Sequence, residues 1–176
     1  FISIDCGAPA GVNYTEKVTG INYTSDENFI NTGVTRSIAS PLQSEFQRQM
    51  WTVRSFPEGK RNCYKINITR GSKYLIKATF LYGNYDGLNM LPNFDLLLGA
   101  NRWDTVNIDN ASVGVDSEII YVPSLDYIHI CMVDTGLGTP FVSYITLRTL
   151  QNDIYVTEFG SLKTYLRWDL GSNQGY

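Results

Sequence analysis

The chain has 176 residues and a formal net charge of −3, from 14 Lys and Arg against 17 Asp and Glu. That length supports one sizeable core, and a mildly acidic chain without a basic cluster excludes binding to a nucleic-acid backbone. A hydrophobic content of 43% argues against disorder, and no apolar run is long enough to span a bilayer.

Phe1 to Asp5 alternates apolar and polar residues and predicts a first strand, closed by Cys6-Gly7-Ala8-Pro9. The chain begins directly on this run, as a mature domain does after processing. Gly11 to Glu45 is rich in Thr, Asn, Ser and Gly. Its apolar anchors are isolated (Ile21, Tyr23, Phe29, Ile30, Ile38). It reads as a long surface excursion with one short strand. Phe46 to Phe56 starts with mixed signals and predicts a strand over Met50 to Arg54. Pro57 to Asn62 is a positively charged, turn-rich connector. Cys63 to Thr69 alternates, with Tyr64, Ile66 and Ile68 as its apolar face, and Arg70-Gly71-Ser72 turns the chain into the next strand.

Tyr74 to Tyr82 is apolar on both parities except Lys77 and Thr79, the pattern of a strand covered on at least one face. Phe94 to Leu98 is a second short apolar run. After Gly99, Asn101-Arg102 predicts a turn and Trp103 to Ile108 a strand. Asp109 to Val115 is a polar loop. Glu118 to Val122 and Tyr127 to Val133 are strands joined by the turn Pro123 to Asp126. Asp134 to Pro140 (DTGLGTP) is a Gly-rich loop, and Phe141 to Leu150 is a final strand. Many short strands with regular turn signals and no sustained 3.6-residue period predict an all-β chain, a sandwich or jelly roll with long surface loops. Asp153 to Tyr176 reads as the opening of something further.

The most informative stretch is the loop between the two apolar runs, GNYDGLNMLPN. It is longer than a tight hairpin needs and rich in residues that favour turns. It holds Asn84, Tyr85, Asp86 and Asn89, and Tyr82 stands at its entrance. Aromatic faces stack on the C–H face of a sugar ring, and amides and carboxylates bond its hydroxyls. A concave apolar site with a few placed polar groups is the usual small-ligand design. Tyr82, Asn84, Tyr85, Asp86 and Asn89, with Asp134 from the second Gly-rich loop, are therefore the candidate ligand-binding residues. The bland alternative is a structural loop whose tyrosines pack on the end of the sandwich.

Catalytic chemistry finds little support. The single histidine, His129, lies mid-strand rather than on a loop, which reads as structural. Paired carboxylates for glycoside hydrolysis have candidates in Asp86, Asp95, Asp104 and Asp134, but sequence spacing does not give their separation. Gly-rich phosphate loops and C-x-x-C pairs are absent, so neither a cofactor nor a metal is expected. Cys6, Cys63 and Cys131 allow one disulfide and one free thiol in three possible pairings, or three buried thiols. Four Asn-x-Ser/Thr sequons, at Asn13, Asn22, Asn67 and Asn110, favour a secreted or cell-surface glycoprotein.

The blocks FISIDCG, GINYTSDENFINTG, RSFPEGKRNCYKI, YLIKATFLYGNYDG, PNFDLLLGANRWDTV and EIIYVPSLDYIHICMVDTGLGTPFVSYITLRTL, in this order, resemble the malectin-like domain of plant leucine-rich-repeat receptor kinases. The resemblance covers Phe1 to about Leu150 and implies a malectin-like β-sandwich module over residues 1–150. Residues 151–176 would be a linker and the truncated start of a second module of the same receptor. It also implies an extracellular setting, in the ectodomain of a single-pass plasma-membrane receptor, with no enzymatic activity in this module. The animal lectin of this fold places a Tyr-Phe pair after the strand matching Tyr74 to Leu81. Here Tyr82 is followed by Gly83. The lectin's acid before the turn matching Thr139-Pro140 has Gly138 nearest its place, with Asp134 earlier in the loop.

Two functions follow from the resemblance. One is recognition of a cell-wall glycan or other oligosaccharide through Tyr82 to Asn89, with Arg54, Lys60 and Arg61 as the local cations for an acidic glycan. The other is interaction with a peptide or co-receptor, at a cleft shared with the second module. On the first reading, Tyr82→Ala and Asp86→Ala abolish sugar binding at little cost to the fold.

Overall fold

The structure, a computed structural model, describes residues 1–156 and 160–165. Its strands are β1 (Ile2–Asp5), β2 (Asn13–Thr15), β3 (Asn22–Ser25), β4 (Val34–Ser37), β5 (Thr52–Ser55), β6 (Arg61–Asn67) and β7 (Lys73–Phe80), then β8 (Asn93–Leu98), β9 (Asn101–Asn107), β10 (Val115–Tyr121), β11 (Tyr127–Leu137), β12 (Phe141–Val142), β13 (Tyr144–Leu150) and β14 (Ser161–Lys163). One helical turn, α1 (Ser40–Gln43), and a 3₁₀ turn over Arg48–Met50 precede β5. A seven-stranded sheet in the order β14-β10-β7-β13-β1-β3-β2 packs on a four-stranded sheet, β6-β11-β8-β9, and a three-stranded sheet, β12-β5-β4, closes one end.

Side-chain alternation decides which faces meet. In β6, Tyr64 and Ile66 are buried while Lys65 and Asn67 are exposed; in β8, Phe94, Leu96 and Leu98 point inward. The central strand β7 is buried along its length except at Lys77, which explains its apolar residues on both parities. The sheets lock through aromatic contacts. Phe80 of the large sheet meets Phe94 of the smaller one edge-to-face, with ring centres 5.6 Å apart, and Phe141 lies 6.2 Å from Phe80.

Cys63 and Cys131 are register partners of β6 and β11 and form a disulfide, leaving Cys6 as a buried free thiol. A second tie is polar. The fully buried Asp26 carboxylate accepts from Arg54 Nε (2.8 Å), the Tyr64 hydroxyl (2.8 Å) and the Gly7 N–H (3.1 Å). It joins β3, β5 and β6 to the turn after β1. Gly7 is required there. Its φ is +87°, and a Cβ would sit 2.4 Å from the Val53 carbonyl oxygen.

Several expectations need correction. The segment Gly11 to Glu45 is no loose excursion: it contributes three strands and α1, because Tyr23 stacks on Tyr14 and Ile38 is buried in the core. Asn101 and Arg102 are not a turn. Gly99, with φ +61°, and Ala100 make it, and β9 starts at Asn101. The Gly-rich stretch after Val133 is not wholly a loop. β11 runs on to Leu137 through a register shift against β8 between Asp134 and Leu137. The strand expected over Phe141 to Leu150 breaks at Ser143, whose hydroxyl accepts the Leu81 N–H while its own N–H goes to the Thr79 carbonyl.

Ser161–Lys163 adds a strand antiparallel to Ile119–Tyr121, and Lys73 donates to the carbonyls of Asn152 (3.0 Å) and Ile154 (2.6 Å). Of residues 151–176, expected as linker and second-module start, 157–159 and 166–176 lie outside the described residues.

Candidate functional site

The loop Gly83 to Asn93 is wound tightly by its own polar residues. Asn84 and Asn89 take left-handed backbone conformations, with φ +51° and +54°. The Asn84 side-chain oxygen accepts the Asn89 N–H (3.0 Å), and an Asp86 carboxylate oxygen accepts the Leu88 N–H (3.0 Å). Gly83 fits only as glycine. A Cβ there would sit 2.5 Å from Ile38.

This winding turns the loop's aromatic rings inward. Tyr82 is 0% exposed and Tyr85 is buried too. Their rings meet edge-on at 5.4 Å, and Phe141 lies 5.2 Å from Tyr85 and 6.2 Å from Tyr82. The Tyr82 hydroxyl donates to Asp86 at 2.5 Å, and Tyr85 accepts from Ser55 (3.3 Å) and reaches the Thr139 carbonyl (3.4 Å). Burial raises both phenols, with the Asp86 bond adding to the shift of Tyr82; Tyr85 is pushed up to about 12. The ring faces expected to stack on a sugar are thus buried in this structure. Leu88 and Met90 point outward instead, at 64% and 65% exposure, with Leu91 also exposed.

The two rim segments adjoin. Asn93 pairs with Leu137, the Thr135 hydroxyl donates to the Asn93 carbonyl (2.7 Å), and Gly138 is pressed against Pro92. Leu137, itself 62% exposed, brings a fourth apolar side chain to the rim. Asp134 does not join the tyrosines; its carboxylate closes the bulge by accepting the Gly136 N–H (2.7 Å). Of the cations expected to serve an acidic glycan, Arg54 pairs with Asp26, Arg61 donates to the Gly99 carbonyl, and Lys60 is exposed. Asn13, Asn22, Asn67 and Asn110 are all exposed, and half-buried His129 packs its ring beside Tyr127 in β11.

A profile of the malectin-like domain matches residues 4–176. The chain belongs to the malectin-like family. Among its relatives, the LRR receptor-like serine/threonine-protein kinase IOS1 of Arabidopsis thaliana is 48% identical over 178 residues, which cover 100% of this chain and 20% of that protein. The probable LRR receptor-like serine/threonine-protein kinase At1g51880 of Arabidopsis thaliana is 49% identical over 168 residues, 95% of this chain and 19% of that relative. The module thus spans about a fifth of the length of these curated relatives. Among solved structures, the ANX2 ectodomain from Arabidopsis thaliana superposes with a TM-score of 0.74 at 17% identity, over 86% of this chain and 42% of that one. A second match is the plant peptide RALF23 in complex with FER and LLG2, with a TM-score of 0.65 at 15% identity over 89% of this chain and 41% of that one. At such identities these two structures attest the fold.

The malectin-like module also has a concavity that no motif signalled. A cleft of about 700 Å³ lies between β2, the Pro9 turn, the Ser44–Arg48 connection and the start of β5. At its base the buried Asp5 accepts from the Tyr14 hydroxyl (2.7 Å) and the Thr52 hydroxyl (3.1 Å). Burial pushes the Asp5 carboxyl up to about 6. Arg48 lies 3.9 Å from the centre of the Tyr14 ring. The exposed Trp51 is pinned by its indole N–H, which donates to the Phe46 carbonyl at 2.8 Å. The lining comes from two stretches of chain, residues 5–18 and 44–52, which the fold brings together.

No helix among the described residues is long and apolar enough to cross a membrane, and no group of three His, Cys, Asp or Glu there is placed to hold a metal ion.

Proposed function

We propose that this malectin-like module is an extracellular recognition unit of a plant receptor-like kinase, and that its partner is a protein or peptide rather than a glycan. The observation that carries this is the inversion of the Gly83 to Asn93 loop: Tyr82 and Tyr85 face the core, and Leu88, Met90 and Leu91 face solvent beside Leu137. A sugar site needs an exposed ring face with free hydrogen-bonding groups. Here Asn84 and Asp86 already serve their own loop. Contiguous exposed aliphatic side chains gain more from an apolar partner surface. The complex of FER with the peptide RALF23 and LLG2 gives a precedent for this fold engaging a peptide and a further protein. The glycan reading through Tyr82, Asn84, Tyr85, Asp86 and Asn89 would require the loop to unwind first. The four sequons lie on exposed surface, where an ectodomain can carry glycans.

Selection of a random dodecapeptide display library tests the proposal. The wild-type chain is expected to enrich apolar peptides that the Leu88→Asp/Met90→Asp variant does not hold. Identical selections on both would remove the rim from the account.

A further inference from the structure

The cleft beside β2 shares no residue with the rim and supports a separate site. β2 is the last strand of the seven-stranded sheet. Its pairing with β3 runs through alternate residues: the Ser25 N–H goes to the Val12 carbonyl (2.9 Å), Tyr14 stands opposite Tyr23, and the Glu16 N–H goes to the Ile21 carbonyl (2.8 Å). In an antiparallel ladder the intervening residues point their main-chain groups the other way. The N–H and C=O of Asn13 and Thr15 are thus directed outward, and among the described residues they have no main-chain partner. An open edge of this kind is a template for another strand.

The cleft supplies what a bare edge lacks. A residue placed opposite Tyr14 on an added strand shares the Tyr14 face of the sheet. On that face the lining offers Val12, Val18, Phe46 and Trp51, in a volume within the range that holds a compact ligand. The charges are informative. Asp5 and Glu16 are buried beneath the mouth and accept hydrogen bonds, Glu16 from the Val18 and Thr19 N–H groups, and Arg48 also favours the charged form of Asp5. Lys17 and Arg48 remain at the mouth against one exposed carboxylate, Glu45.

We propose that an extended peptide adds a strand to β2 through Asn13 and Thr15, seats a large apolar side chain beside Trp51 and Phe46, and sets an acidic neighbour against Arg48 and Lys17. Main-chain pairing supplies sequence-tolerant affinity, and the cleft supplies the preference. This site stands apart from the rim reading.

The Leu88→Asp/Met90→Asp variant, which lacks the rim, isolates the cleft in the same dodecapeptide selection. It is expected to enrich peptides with a bulky apolar residue next to Asp or Glu. Trp51→Ala or Arg48→Glu, each in a chain with an unchanged unfolding temperature, should weaken those peptides at least tenfold. N-methylating alternate residues of a selected peptide should abolish binding in one phase and spare it in the other. Hydrogen exchange of the Asn13 and Thr15 amides should slow only when peptide is bound. The proposal is overturned if the rim variant enriches nothing, if binding leaves those two amides unprotected, or if only an oligosaccharide gives Trp51-dependent binding. Loss of cleft peptides alone, with rim peptides kept on the wild-type chain, leaves the rim reading standing.

Discussion

Two regions of this malectin-like module use the same kinds of residue to opposite ends. The Gly83 to Asn93 loop is one continuous stretch rich in Tyr, Asn and Asp, and it folds inward. Its tyrosines join Phe141 in the core while its amide and carboxylate bind its own backbone. The cleft beside β2 is assembled from two stretches distant in sequence, and its Trp51 and Arg48 stay at the surface while Asp5 is consumed below them. Composition alone does not distinguish a binding residue from a packing residue. What separates them is whether the backbone already satisfies the polar groups and whether a ring has a cavity to fill. Gly83 against Ile38 draws the first loop tight enough to bury its rings, whereas Trp51 is held at its edge by a carbonyl.

The largest expected effect breaks this contrast most directly. Tyr82→Ala should cost about 3–5 kcal/mol of stability, as truncation of a fully buried aromatic does, while Trp51→Ala should cost about 1 kcal/mol or less. Urea unfolding of the two variants side by side measures the difference, and equal costs would contradict the assignment. Next is the pH dependence of the cleft base. Asp5 holds its proton more tightly in the fold, at about 6, than at the ordinary value of 3.8. Its contribution is therefore fully present below pH 3.8 and is lost as the pH rises through about 6. At about 1.4 kcal/mol per pH unit of difference, that loss is on the order of 2–3 kcal/mol. Asp5→Asn should flatten the stability curve across this window, and an unchanged slope would place Asp5 in a wetter setting.

Smaller effects sharpen the loop. Asp86→Ala removes the acceptor of the Leu88 N–H and leaves the Tyr82 hydroxyl only the longer bond to the Asn84 side-chain oxygen, at 3.3 Å; it should cost about 1–2 kcal/mol, readable as a lowered urea midpoint. Leu88→Asp and Met90→Asp should each change stability by about 0.5 kcal/mol or less, because both side chains already face water. A large loss at either position would mean that the rim is packed rather than presented.

Much of the fold was legible because strand alternation is local. Tyr64 and Ile66 in β6, and both parities of β7, follow directly from the pattern of apolar residues. The polar stretch Gly11 to Glu45 reads as holding one short strand but holds three, since each is only three or four residues long; β3 and β4 pair with β1 and β5 beyond the stretch, and β2 pairs with β3. The candidate loop was legible as a loop, but the direction of its rings was not. That direction depends on Phe141 and Ile38, which no spacing rule connects to Tyr82. The Cys63–Cys131 pairing was one of three alternatives until the register of β6 against β11 set the two residues opposite each other. The cleft was invisible for the same reason, since Asp5, Tyr14, Arg48 and Trp51 meet only in space.

The central claim is that this module presents an aliphatic rim, not a sugar platform. Calorimetric titration with neutral glucan and acidic pectic oligosaccharides tests it most directly, on the wild-type chain and on Asn84→Ala. The account predicts no saturable heat from either class with either protein. Saturable heat on the wild-type chain, abolished by Asn84→Ala, would show that the loop opens to a glycan and would contradict it.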